Sequence, residues 1–286
     1  MGALFFRPET EEEALKLLSS SENPLIINGG TDAVLFLKEG KIKGDTLISI
    51  ASIKEYGNIK EKDGWIEIGG TVTVDKMMSS PLLSEFSGLT EAMVHMASPA
   101  IRRMATAAGN ICTAAPAADV AAMLYALGSS VKLKSIRGER IIPLSSFYNT
   151  KRSYSTVMEK DEILTSILIP SLQKGEGTGY TRLSRRKSQD IAKVMVGVRL
   201  KTEKGLITSA SISLGAVNAQ LVHGTETEKA IIGMNEKEAY DYAFTHFPEE
   251  AQLHESYYTE YKKAVLPSTL AETIKKAFLS IKEEER

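Results

Sequence analysis

The sequence predicts an α+β protein in two parts, an N-terminal domain over 1–172 and a smaller domain of strands followed by helices over 178–286. Three observations carry this expectation. The first fifty residues alternate helical and strand-like patterns, the order that builds a small parallel sheet. From about Trp65 the texture changes to alternating runs around alanine-rich helical pieces. After the glycine-rich stretch 173–179, two strongly alternating runs precede a charged tail of helical pattern, so strands and helices are segregated.

Each element follows from local chemistry. Thr10 with Glu13 three residues later reads as a capping box, and Ala14, Leu15, Leu17 and Leu18 share one face of the helix behind it. Leu25, Ile26 and Ile27 form a short buried strand that runs into Gly29-Gly30. Residues 33–38 read as a short helix, and 46–50 as a second strand. Residues 65–70 alternate as a strand, with Gly69-Gly70 as a turn. The stretch 77–96 is helical in pieces, punctuated by Pro81 and Gly88. Residues 117–127 make an alanine-rich helix that Gly128 is placed to end. Residues 131–134 and 140–142 pair as a hairpin, and 162–169 form a strand closed by Pro170. Residues 173–179 read as the linker, and 195–200 and 211–216 as strands.

Composition excludes several classes. Lysine plus arginine total 35 against 36 acidic residues, without the basic surplus of a nucleic-acid binder. No apolar run approaches the roughly 20 residues of a membrane span. The start of the chain lacks the features of a signal peptide, and Phe6 stands where a myristoylation signal has Ser or Thr. The one cysteine, Cys112, excludes an internal disulfide framework and an iron–sulfur cluster held by this chain alone. A reducing, cytoplasmic setting is expected. The histidines His95, His223, His246 and His254 show no metal-ligand spacing.

Two glycine loops are the candidate binding elements. The first is Ile26-Ile27-Asn28-Gly29-Gly30-Thr31-Asp32-Ala33. It reads either as an ordinary strand-to-helix turn capped by Thr31 or Asp32, or as an anion cradle of converging N–H groups. It is not the dinucleotide fingerprint G-x-G-x-x-G. The second is Thr106-Ala107-Ala108-Gly109-Asn110-Ile111, continuing through Cys112 into a small-residue run that ends at Asp119. Small side chains there permit close approach to a flat ligand. Asp119 is read either as an acceptor for sugar hydroxyls or as a helix N-terminal acid favoured by the dipole. The basic run 182–187 is a solvated strand edge or an anion site.

The ordered set of these motifs resembles the FAD-binding medium subunits of the molybdenum hydroxylases, the xanthine and carbon monoxide dehydrogenase flavoprotein family. The resemblance runs from Phe6-Arg7-Pro8 through Gly29-Gly30-Thr31-Asp32, Ala108-Gly109-Asn110-Ile111-Cys112 and Ala115-Pro116-Ala117-Ala118-Asp119. It continues through Asp161-Glu162-Ile163-Leu164 to Arg185-Arg186 and Asp190-Ile191-Ala192. It implies a two-part FAD domain of the vanillyl-alcohol-oxidase (PCMH) type, with subdomains of about 1–56 and 57–172, and a C-terminal domain leaning over the cofactor.

By that resemblance Ile26 to Ala33 wrap the pyrophosphate, and Thr106, Ala108, Gly109, Asn110 and Ile111 form the second wall. Asp119 holds a sugar hydroxyl and Leu164 packs on the flavin. Cys112 lies near the isoalloxazine, though a small buried filler is the plainer reading. Met96 falls near the adenine or is a core methionine. Arg182 stands where the family usually has a lysine near the flavin. Ala108 replaces a usual glycine, and its methyl is expected to tighten the approach. The implied role is an electron outlet. It would take electrons from a 2Fe–2S small subunit, fed by a molybdopterin large subunit, and pass them to NAD⁺ or another acceptor. A self-contained flavoenzyme of the same fold and a flavin-free scaffold subunit are the alternatives.

Overall fold

The computed structural model describes residues 3–149, 152–186, 189–253 and 256–281. The chain begins with β1 (Leu4–Phe6), α1 (Glu11–Ser20), β2 (Pro24–Ile27), α2 (Ala33–Lys38) and β3 (Thr46–Ser49). The three strands form a parallel sheet in the order β1-β3-β2, as the alternation predicts. Thr10 caps α1 by accepting from the Glu13 N–H. The return bond of the expected box is shifted by one residue, because the Glu13 carboxylate accepts from the Glu9 N–H. Ala14, Leu15 and Leu18 bury one face of α1 against Ile48, Ile50 and Tyr56.

A second, mixed layer follows. Its sheet contains β4 (Ile59–Lys62), β5 (Trp65–Gly69), β6 (Ser130–Ser135), β7 (Gly138–Pro143) and β8 (Ile163–Pro170), in the order β4-β5-β8-β6-β7, all antiparallel. The helices α3 (Val74–Met78), α4 (Ser87–His95), α5 (Pro99–Arg102), α6 (Ala107–Thr113) and α7 (Asp119–Ala126) cover it. Alternation in β6 explains its burial: Val131 and Leu133 are fully buried, whereas Lys132 and Lys134 turn to the other face. Every residue of α7 is buried, and beyond Asp119 the helix is apolar on all sides and lies in the centre of the main core. Gly128, at φ +70°, ends it as expected.

The third layer is an antiparallel sheet of β9 (Glu176–Leu183), β10 (Val194–Glu203), β11 (Leu206–Gly215) and β12 (Val222–His223), in the order β12-β11-β10-β9. It packs under α8 (Thr225–Ala230), α9 (Glu236–Thr245) and the long α10 (Thr259–Leu279).

Two sequence readings change here. The stretch 173–179 is a linker only at its start, because Gly177 and Gly179 belong to β9. A Cβ on either would meet α10 backbone, at 2.1 Å from Ala277 O and 2.4 Å from Thr273 O. Glycine lets the helix lie directly on the strand. Gly88 does not punctuate a helix but sits inside α4, pressed against the Gly179 backbone. Gly69-Gly70 is a turn as read, closed by the Val72 N–H donating to Gly69 O at 3.0 Å, and it is also a close packing contact, with Tyr56 O and Leu164 O where Cβ atoms would stand.

Candidate FAD site

A cleft of about 780 Å³ opens between the first sheet and the α6 side of the second layer. Its volume lies within the range of about 300–1,000 Å³ usual for small-molecule sites. One wall is the turn after β2. Gly30 has φ +72°, a left-handed conformation that favours glycine. Gly29 meets a different constraint: a Cβ there would lie 1.9 Å from the carbonyl oxygen of Met104. That carbonyl belongs to the segment leading into α6, so the two walls touch at this point. The backbone N–H groups of Gly29, Gly30 and Thr31 donate no hydrogen bond among the described residues.

The second wall corrects the sequence reading. Residues 107–113 are not a loop but the helix α6. Thr106 is its N-cap, accepting from the Gly109 N–H at 3.0 Å. Gly109 therefore occupies an ordinary helical position, and a Cβ there would meet only the Thr106 hydroxyl, at 3.1 Å. The first-turn N–H group of Ala108 has no partner among the described residues, as helix starts leave it, while Ala107 follows the Thr106 bridge to Thr73. Ala108 lines the cleft and is packed into the main core.

Side chains at the site mostly hold the walls. The Asn28 amide donates to Gly70 O at 2.6 Å, pinning the first turn to the second sheet. Asn110 Oδ1 accepts from the Ala121 N–H at 2.9 Å, anchoring α6 to the start of α7. Asp32 does not cap α2 with its side chain. Its carboxylate instead lies 3.0 Å from the Thr113 hydroxyl and so ties the first wall to the end of the second.

Of the seventeen predicted residues, thirteen line this cleft: Ile26, Asn28, Gly29, Gly30, Thr31, Asp32, Ala33, Thr106, Ala108, Gly109, Asn110, Cys112 and Leu164. Met96 lines it as well. Ile27 and Ile111 are buried behind the walls, as the inward positions of a strand and a helix. Cys112 is reached by solvent through the open cleft, with its sulfur 4.0 Å from that of Met158.

Asp119 and Arg182 also stand outside the cleft lining, and their chemistry shows why. The Tyr180 hydroxyl donates to Asp119 Oδ1 at 2.8 Å, and Arg182 pairs with the same carboxylate at 3.1 Å. Arg182 also donates to the carbonyls of His95 and Asp190. Burial pushes the Asp119 carboxyl up from its ordinary value against the pull of Arg182 and Tyr180. Asp119 and Arg182 are therefore partners of each other in the chain by itself. They clamp β9 of the C-terminal domain to α7 and to the end of α4, one residue from Met96.

The rest of the basic run is also occupied: Arg185 and Arg186 both pair with Asp190, while Lys187 lies outside the described residues, as does His254. Among the described residues no group of three or more His, Cys, Asp or Glu is placed to hold a metal. Sequence reasoning missed Phe36, Lys41, Tyr154 and Met158, which also line the cleft. They lie outside any motif, and only the tertiary fold brings them together.

This geometry agrees with comparisons to known proteins. Residues 2–172 match the model of the FAD binding domain in molybdopterin dehydrogenase. Residues 179–277 match the CO dehydrogenase flavoprotein C-terminal domain. The chain belongs to this FAD-binding family. It is 31% identical to the nicotinate dehydrogenase FAD-subunit of Eubacterium barkeri over 234 residues, covering 80% of this chain and 79% of that one. It is 28% identical to the carbon monoxide dehydrogenase medium chain of Afipia carboxidovorans over 231 residues, with the same coverage. The solved structure of reconstituted CO dehydrogenase from Oligotropha carboxidovorans superposes with a TM-score of 0.90 at 25% identity, covering 98% of this chain and 99% of that one. The chain is accordingly an FAD-binding medium subunit of the molybdenum hydroxylase type, an oxidoreductase component. No helix among its described residues is long and apolar enough to cross a membrane.

Proposed function

We propose that this chain is the electron outlet of a multi-subunit molybdenum hydroxylase. It would receive electrons from a 2Fe–2S small subunit, supplied by a molybdopterin large subunit, and deliver them to NAD⁺ or another soluble acceptor. The observation that carries the reading is a cleft whose two walls present N–H groups without partners among the described residues. The walls supply unpartnered N–H groups, which suit the two phosphates of FAD.

When bound, FAD supplies the redox chemistry, accepting and releasing electrons without needing a protein nucleophile or metal. The protein's share is mechanical and electrostatic. The turn at Gly29–Thr31 and the first turn of α6 hold the diphosphate. Asn28, Asn110 and Asp32 keep the walls in register. The Asp119–Arg182–Tyr180 clamp seats the C-terminal sheet against the end of the cleft at Met96. The lone Cys112 cannot by itself ligate an iron–sulfur cluster, so any cluster that feeds the flavin would be held by another chain.

Expression with the neighbouring genes tests this. The chain is expected to copurify with one iron–sulfur and one molybdopterin subunit, and NADH is expected to bleach the flavin bands of the complex. A fully active hydroxylase made of this chain alone would overturn the reading. Bleaching by a different acceptor's reduced form would change only the acceptor.

A further inference from the structure

One end of the cleft is built differently from the rest. Phe36, on α2, and Tyr154, on the opposite wall, meet edge to face with ring centroids 6.2 Å apart, and both line the cleft. Tyr154 is 62% exposed and has φ +57°, a backbone conformation that non-glycine residues seldom adopt. An exposed tyrosine gains little from its own burial, so nothing in its packing repays that strain.

What holds Tyr154 there is a set of bonds from both domains. Its N–H donates to Ala114 O at 2.9 Å, just past the end of α6. Its neighbour Ser153 donates to Ala219 O at 2.7 Å, and Gln220 donates to both Ala114 O and Arg152 O. The C-terminal domain thus fixes the ring over the cleft. Below it, Cys112 and Met158 offer soft sulfur surface on the floor.

We propose that Phe36 and Tyr154 form an aromatic clasp for the adenine ring of the cofactor, selecting a dinucleotide flavin over a mononucleotide one. This rests on the reading that the cleft holds FAD. Ring faces and sulfur suit a purine that needs stacking and no chemistry. The diphosphate cradle at Gly29–Thr31 lies a few residues before Phe36 on the same turn-and-helix unit, and both line the one cleft. The isoalloxazine then extends the other way, toward Met96 and the C-terminal sheet, which reverses the placement of Met96 by the adenine and of Cys112 by the isoalloxazine that the family resemblance implies.

The test uses the flavin-free full chain and its Tyr154→Ala and Tyr154→Phe variants, titrated with FAD, with FMN and with ADP. Tyr154→Ala is expected to weaken FAD and ADP by the same factor, about tenfold or more, the scale of one base–aromatic stack. FMN affinity is expected to be unchanged, and Tyr154→Phe should behave as the parent chain, since only the ring matters. The proposal is overturned if Tyr154→Ala leaves FAD unchanged, if it weakens FMN as much as FAD, or if the parent chain binds FAD but not ADP. Failure of the parent chain to bind FAD would instead sink the cofactor reading itself. Melting temperatures of the three chains guard against misfolding.

Discussion

The two glycine walls look alike in sequence and differ in how they work. In the first, glycine is a steric necessity: Gly29 touches the Met104 carbonyl, and Gly30 turns the chain through a left-handed conformation. In the second, no protein backbone demands the glycine: a Cβ on Gly109 would meet only the Thr106 hydroxyl. Gly109 sits in the first turn of α6, and what exposes N–H groups is the helix start itself, capped by Thr106. The same residue type therefore marks a close approach in one wall and carries no such constraint in the other. A glycine pair in sequence says that something is close; it does not say whether the neighbour is a ligand or another strand of the same protein.

Substitutions can break or sharpen that contrast. The largest effect is expected behind the walls. Asp119→Ala removes the partner of buried Arg182 and should cost about 3–5 kcal/mol of stability in urea unfolding. Replacing both, with Arg182→Met, should cost less than Asp119→Ala alone, because no buried charge is then left unpaired. If the single variant is within about 0.5 kcal/mol of the parent, the clamp is not structural.

Gly29→Ala comes next. The methyl must displace the Met104 carbonyl, an overpacking cost of about 1–3 kcal/mol, and should part the walls enough to lose FAD on gel filtration. Full retention would show that the contact between walls is dispensable. Thr106→Ala removes the cap of α6 and should cost about 1 kcal/mol, with weaker FAD binding. Gly109→Ala should be the mildest. Helix propensity gains up to about 1 kcal/mol, offset by the tight contact with the Thr106 hydroxyl, and FAD stays bound. Loss of FAD in Gly109→Ala but not in Gly29→Ala would reverse the comparison.

A pH effect follows from Glu162, a cleft-lining residue that is almost fully buried. Burial works to raise its carboxyl, but Arg140 and the Glu159 N–H outweigh it and hold the group below its ordinary range. Its folded pKa lies below the unfolded one, so its contribution is present above the ordinary glutamate value and is lost as pH falls through the folded value. Arg140→Met should shrink the acid-side loss of stability between those two values.

The elements were legible where periodicity is strong. The β2–α2 unit, the apolar α7 and the pairs β6–β7 and β10–β11 follow from alternation and helical spacing. The candidate site was legible in its backbone, because glycine and small residues mark close approach. Helix α6 was not: Ala-Ala-Gly-Asn carries no apolar stripe, and a threonine cap looks like any loop threonine. The roles of Asp119 and Arg182 were also hidden. They are 63 residues apart, and only the crossing of β9 over α7 brings an acid and a base together in a dry place. Phe36 and Tyr154 left no signal either, since a single aromatic in a short helix or a turn is not a pattern.

The central claim is that the turn at Gly29–Thr31 and the start of α6 together hold one FAD. Fluorescence titration of the flavin-free full chain with FAD tests it most directly. The account predicts saturable binding of one equivalent in the parent chain and a loss of tenfold or more in Gly29→Ala. A parent chain that shows no saturable binding would contradict it.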